Sequence, residues 1–109
     1  MLWLIAALAV QTHPADHYVS VSSLTGAMLA EDCARERGLQ MDLCASYIIG
    51  VSDALQLTGK TCRPSSEAAT LQTITIARRY IAAHPEKWGW APVFIVREAL
   101  VGAFPCHKR

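Results

Sequence analysis

Four cysteines, Cys33, Cys44, Cys62 and Cys106, carry the most legible chemistry in this 109-residue chain. An even number of thiols in so small a domain points to two disulfides and an oxidising compartment. Zinc, the rival use, favours ligands in close Cys-x-x-Cys pairs. The intervals here are 10, 17 and 43 residues, so neither a metal nor a cofactor is expected. The other reactive types do not converge on a catalytic constellation. His13 and His17 lie in a polar N-terminal stretch, His84 precedes a proline and His107 is in the tail. The serine pairs Ser22-Ser23 and Ser65-Ser66 sit where helices are capped, and no Gly-x-Ser-x-Gly elbow or phosphate-cradling glycine loop occurs. Asp32 and Glu36 form the one same-face acidic pair, with arginines beside it. No enzymatic activity is expected.

Composition narrows the class further. Ten basic against nine acidic residues give a net charge of +1. The cations are scattered, which excludes a nucleic-acid partner that needs clustered charge. Met1 to Val10 are apolar throughout, and Ala7-Leu8-Ala9 has the small-x-small pattern of a signal-peptidase site. No Lys or Arg precedes this run, so residues 1–12 read as a signal peptide or an apolar N-terminal arm. A membrane span needs about twenty apolar residues. Gln11, Thr12, His13 and Asp16 interrupt the run too early for stable membrane insertion.

The elements that must position these residues are helical. After a connector at residues 13–23, Ser22 or Ser23 can cap a first helix, Leu24 to about Arg37, with Glu31 and Arg35 paired four apart and Gly38 ending it. Asp42 caps a second, in which Leu43, Tyr47, Ile48, Val51 and Leu55 recur at helical spacing before Gly59. Ser65 or Ser66 opens a third, with Leu71, Ile74, Ala77 and Ile81 as its stripe, and Pro85 stops it. Pro92 begins a fourth that runs to about Phe104. Apolar residues cover almost the whole circumference of this last helix. Either part of it lies in a homodimer interface, or it is sandwiched by the other three helices together with the N-terminal arm. The expected fold is all-α, a four-helix up-down bundle over residues 24–109.

Short connections make successive helices antiparallel. Cys33 and Cys44 then share one pole, and Cys62 and Cys106 the other. Helices of about fifteen residues are about 22 Å long, whereas bonded cysteine Cα atoms lie within about 7 Å. Of the three connectivities, Cys33 with Cys44 and Cys62 with Cys106 survives.

The series Cys44-x-x-Tyr47-x-x-Gly50-x-x-Asp53-Ala54, then Cys62-x-Pro64, Tyr80, His84-Pro85, Ala99-Leu100 and Phe104-Pro105-Cys106 resembles the Rap1a/Tai family of immunity proteins. The resemblance implies a small, exported, helical, disulfide-bonded and typically dimeric protein. It implies a protein partner, a peptidoglycan amidase effector of type VI secretion, blocked in the periplasm. The alternative reading is a periplasmic chaperone of the acid-stress type.

Tyr47, Gly50 and Asp53 wind around their helix, since residues spaced by three do not line one face, and so read as structural. Tyr47 is expected in the core, Gly50 at a close helix approach and Asp53 bonded to loop backbone or to an arginine such as Arg97. The better candidate for partner binding is the turn between helices three and four, with His84, Glu86, Lys87, Trp88 and Trp90. Two tryptophans in a short connector exceed what a loop needs, and the resemblance also places partner contact here. One tryptophan is expected in the core and one exposed.

Overall fold

The computed structural model describes residues 19, 21–35 and 42–107. It is all-α, a bundle of four helices: α1 (Gly26–Cys33), α2 (Leu43–Leu57), α3 (Glu67–Ala83) and α4 (Pro92–Ala103). A one-turn 3-10 helix, Pro85–Lys87, joins α3 to α4. The leader at 1–12, most of the connector, and Glu36, Arg37 and Gly38 fall outside the described residues.

Local chemistry sets the helix ends. Thr25, Asp42 and Ser66 are the N-caps of α1, α2 and α3, each accepting a backbone N–H three residues on, from Met28, Ala45 and Ala69. Pro92 occupies the first turn of α4, where a missing N–H costs nothing. Helix α2 ends on a left-handed glycine, Gly59 (φ 72°), with Gly59 N–H donating to Gln56 O and Lys60 N–H to Leu55 O. This is the double bond pattern by which a glycine closes a helix.

The first helix is shorter than its sequence signals suggested. It starts after Thr25, not Ser22 or Ser23, and ends at Cys33. The Glu31–Arg35 ion pair forms at 3.2 Å across that end.

Every pair of helices is in contact. Leu29, Ile48, Ile81, Ile95, Val96 and Leu100 meet in the centre, all fully buried. Two stripes are rotated from their expected positions. In α3 the interior is Ala69, Thr73, Ala77 and Ile81, while Leu71 is exposed. Thr73 tolerates burial because its hydroxyl donates to Ala69 O at 2.7 Å. In α2 the interior is Cys44, Ala45, Ile48, Ser52 and Leu55, and Leu43 is turned outward. Helix α4 touches the other three and buries Pro92, Ile95, Val96, Ala99 and Leu100. Val101 and Ala103 on the same helix are exposed, and Val93 and Phe94 are half-buried, so the other three helices cover only part of its apolar circumference.

Both disulfides are those derived from topology. Cys33–Cys44 and Cys62–Cys106 each span 5.0 Å between Cα atoms. The first is buried in the core; at the second, Cys62 is exposed. Asp32 Oδ2 accepts the Cys44 N–H at 2.9 Å, which gives this acidic residue a structural role beside the first staple. At the second staple, the Cys62 N–H donates to Phe104 O and ties the chain after α4 to the α2–α3 connection.

Candidate recognition site

The α3–α4 turn is built from its own side chains. His84 caps α3 with its backbone N–H on Ile81 O, and Pro85 forces the chain out of the helix. The indole Nε1 of Trp88 also donates to Ile81 O, at 2.9 Å. Lys87 reaches back: its Nζ donates to the Tyr80 hydroxyl and to Glu98 Oε1, and it lies 4.9 Å from the centre of the Tyr80 ring and 5.2 Å from that of Trp90. Together these contacts join α3, the turn and α4 around one ammonium group. The Tyr80 hydroxyl bond and the nearby Glu98 hold the Lys87 ammonium above its usual pKa.

A second anchor comes from α1. The Gly26 N–H donates to Trp90 O at 3.0 Å. A Cβ at Gly26 would stand 2.7 Å from Trp88 O, 2.7 Å from Trp90 O and 2.8 Å from Ile95 Cδ1. Only hydrogen fits in that space, so the helix start and the turn are in direct backbone contact.

Both tryptophans are half-buried and pack against the core, which corrects the expectation of one inside and one outside. Each body covers the end of the bundle, and the Trp88 N–H finds its partner there. The outward edge of the turn is Pro85, Glu86 and Gly89, with His84 half-exposed beside them. His84 Nδ1 and Glu86 Oε1 are 2.8 Å apart, and the Tyr80 and His84 rings are 4.1 Å between centroids. That His84 bond holds the Glu86 carboxyl below its usual pKa, with smaller help from backbone and Lys87. The edge presents the hydrogen-bonded His84–Glu86 pair on a support held from three helices, and no nucleophile, which suits recognition of another surface. Two shallow pockets flank it. One of about 320 Å³ is lined by Trp90, Phe94, Arg97, Glu98 and Val101; the other, about 160 Å³, lies between Ser22–Thr25 and Gly89–Ala91.

The α2 motif residues are dispersed, as the spacing argument required; Gly50 sits differently from expectation, while Asp53 meets an arginine as expected. Gly50 is exposed and nothing approaches within 4 Å of where a Cβ would be. Among the described residues no helix crosses there. Asp53 meets Arg63, at 3.5 Å, and not Arg97. Arg63 is the nearly buried member of that pair: its Nε donates to Ser52 Oγ at 2.8 Å and its Nη1 to Pro64 O. Tyr47 is half-buried, and burial raises its phenol above the usual pKa. With Gly50 it lines a groove of about 510 Å³ between α2 and α4, floored by Val51, Leu55 and Val93 and edged by Arg97.

Gly26, Arg63 and this groove were not singled out by the sequence. A threonine cap followed at once by glycine was the one local signal for the first. No helix among the described residues is long and apolar enough to cross a membrane.

No curated protein and no solved structure matches the chain. The family model described as Rap1a immunity proteins matches residues 25–106, from the Thr25 cap of α1 to the second staple. By that match the chain belongs to the Rap1a immunity protein family.

Proposed function

We propose that this chain protects its producer by binding a peptidoglycan amidase toxin delivered by type VI secretion and blocking its active site in the periplasm. The observation that carries the reading is the family match across the whole helical bundle. Two intramolecular disulfides and the apolar run at Met1–Val10 support export to an oxidising compartment. Contact with the toxin is assigned to the outward edge of the α3–α4 turn. There His84 and Glu86 meet the partner, while Lys87, Trp88 and Trp90 hold the edge in shape.

The test starts from the genes beside this one: an amidase encoded there is co-expressed with the chain, each directed to the periplasm. Survival, co-purification and loss of peptidoglycan cleavage in vitro are expected. A purified chain that neither binds nor inhibits that amidase would overturn the proposal. Glu86→Lys should weaken inhibition with at most a small fall in melting temperature, because Glu86 is exposed and, among the described residues, its side chain bonds only His84.

A further inference from the structure

The groove between α2 and α4 joins an apolar floor to one charge. Val51, Leu55 and Val93 form the floor, Gly50 and Ala54 leave it open above, and its volume is about 510 Å³. Small-molecule sites span about 300–1,000 Å³ and are mostly apolar, with a few polar groups that fix orientation. From Ser46 to Thr58 the groove follows α2 for about 18 Å.

Arg97 is the one charged residue of the lining. Arg35, Arg63 and Arg78 each meet a carboxylate. Among the described residues none pairs with Arg97: its guanidinium lies 5.1 Å from the centre of the Phe94 ring, on the exposed side of α4, and Glu98 beside it is bonded by Lys87. A planar guanidinium matches a carboxylate with two parallel bonds. Placed at the edge of an apolar groove, it complements an anion that carries an apolar tail.

The walls decide what kind of tail. Both are α-helices, whose mid-helix N–H and C=O groups are bonded within the helix. An extended peptide laid between them would bury amides with no partner, each at a cost. An unbranched acyl chain has no polar group to pair.

We propose that this groove binds a fatty acid, its carboxylate on Arg97 and its acyl chain along Val51, Leu55 and Val93. Tyr47, half-buried in the same lining, adds a hydroxyl donor. The groove shares only Arg97 with the pocket beside the turn, so fatty-acid binding and toxin inhibition can be lost separately.

Isothermal titration of the chain with decanoate and with laurate, each below its aggregation concentration, reads the site. One molecule per chain is expected. Laurate, two methylenes longer, should bind about fourfold more tightly, half the gain of full burial because the groove is open on one side. Arg97→Gln should weaken laurate about fivefold and leave decanol unaffected. Ala54→Trp fills the groove from an exposed position and should abolish binding, whereas Leu57→Gln, outside the groove, should change nothing. All three variants should melt close to wild type, since all three positions are exposed. Absence of saturable binding overturns the proposal, as does a laurate affinity indifferent to Arg97→Gln or to Ala54→Trp. Sedimentation showing a self-associated chain that laurate neither binds nor separates would give the groove to a second copy, and overturns it too.

Discussion

The substitution of glycine by alanine should have opposite signs at two positions of this chain. At Gly26 an added Cβ meets two carbonyl oxygens at 2.7 Å and a methyl at 2.8 Å. The Ile95 methyl can rotate away, but the oxygens belong to the backbone of the turn, which would have to retreat by about 0.7 Å to reach ordinary contact. Overpacking of this kind costs about 3 kcal/mol when backbone must move. The retreat also strains the Gly26 N–H to Trp90 O bond, worth about 1 kcal/mol. Alanine's better helix propensity and the stiffer unfolded chain return at most about 1 kcal/mol. Gly26→Ala is therefore expected to destabilise the chain by about 3 kcal/mol, a fall of about 12–20 °C in melting temperature for a domain of this size. At Gly50 nothing stands within 4 Å. There the propensity gain acts alone, and Gly50→Ala should raise the melting temperature by about 2–8 °C. Thermal unfolding followed by circular dichroism, at a concentration where the chain is monomeric, compares the two. A neutral Gly26→Ala, or a destabilising Gly50→Ala, refutes the assignment of which glycine is packed.

Asp42 combines two roles, accepting the Ala45 N–H and both oxygens' bonds from Arg78 at 3.0 and 2.9 Å, with its own side chain 3% exposed. Asp42→Ala should cost about 3–4 kcal/mol, read by denaturant unfolding, because a cap is lost and a mostly covered guanidinium is left unpaired. The two staples should reduce in order: a thiol reductant reaches the exposed Cys62 before the buried Cys33–Cys44 bond, and alkylation with peptide mapping should label Cys62 and Cys106 first. The pH dependence of the turn follows from its shifted groups. Glu86 is depressed, so its contribution is present above the usual carboxylate range and lost as pH falls through its lower folded value. Lys87 is raised, so its contribution is full below about 10.5 and is lost as pH rises through its higher folded value. Tryptophan fluorescence of the turn should therefore change at both ends, as Glu86 is protonated at low pH and Lys87 is deprotonated at high pH.

The fold was legible because its signals are local. Asp42, Ser66 and Pro92 are short-range devices that act on the next turn of chain, and each did what its type implies. The disulfide pairing followed from the up-down order of the helices and their length. What escaped depends on which face of a helix its neighbours reach, and period alone does not fix that. Thr73 displaced Leu71 from the interior because a threonine can bond its own helix and be buried at little cost. Cys44 and Ser52 displaced Leu43 because α2 packs closely with small residues inward. Gly50 drew attention as a mid-helix glycine, but no described residue stands within 4 Å of its Cβ position. The tight approach is at Gly26, where the sequence shows only a glycine after a cap.

The turn shows why residues that suit recognition and residues that suit stability were hard to separate by type. Tryptophan and lysine are both common in binding surfaces, yet here Trp88 closes the carbonyl of Ile81 and Lys87 is surrounded by Tyr80, Trp90 and Glu98. Their side chains are already committed within the chain, so they have little left to offer a partner directly. What they supply is a fixed edge. Binding through mobile side chains costs about 0.5–1.5 kcal/mol for each one immobilised, and an edge held from three helices avoids much of that cost. Substitution of Lys87 by methionine separates the two roles, since it keeps the stem against Tyr80 and Trp90 but removes the charge and its bonds. If the lysine acts through shape, the variant should melt lower and bind the toxin more weakly in step with loosening of the turn. Glu86→Lys should weaken binding with at most a small fall in melting temperature. A Lys87→Met variant that melts like wild type yet fails to bind would show that the ammonium itself meets the partner, and would refute the division of labour assigned here.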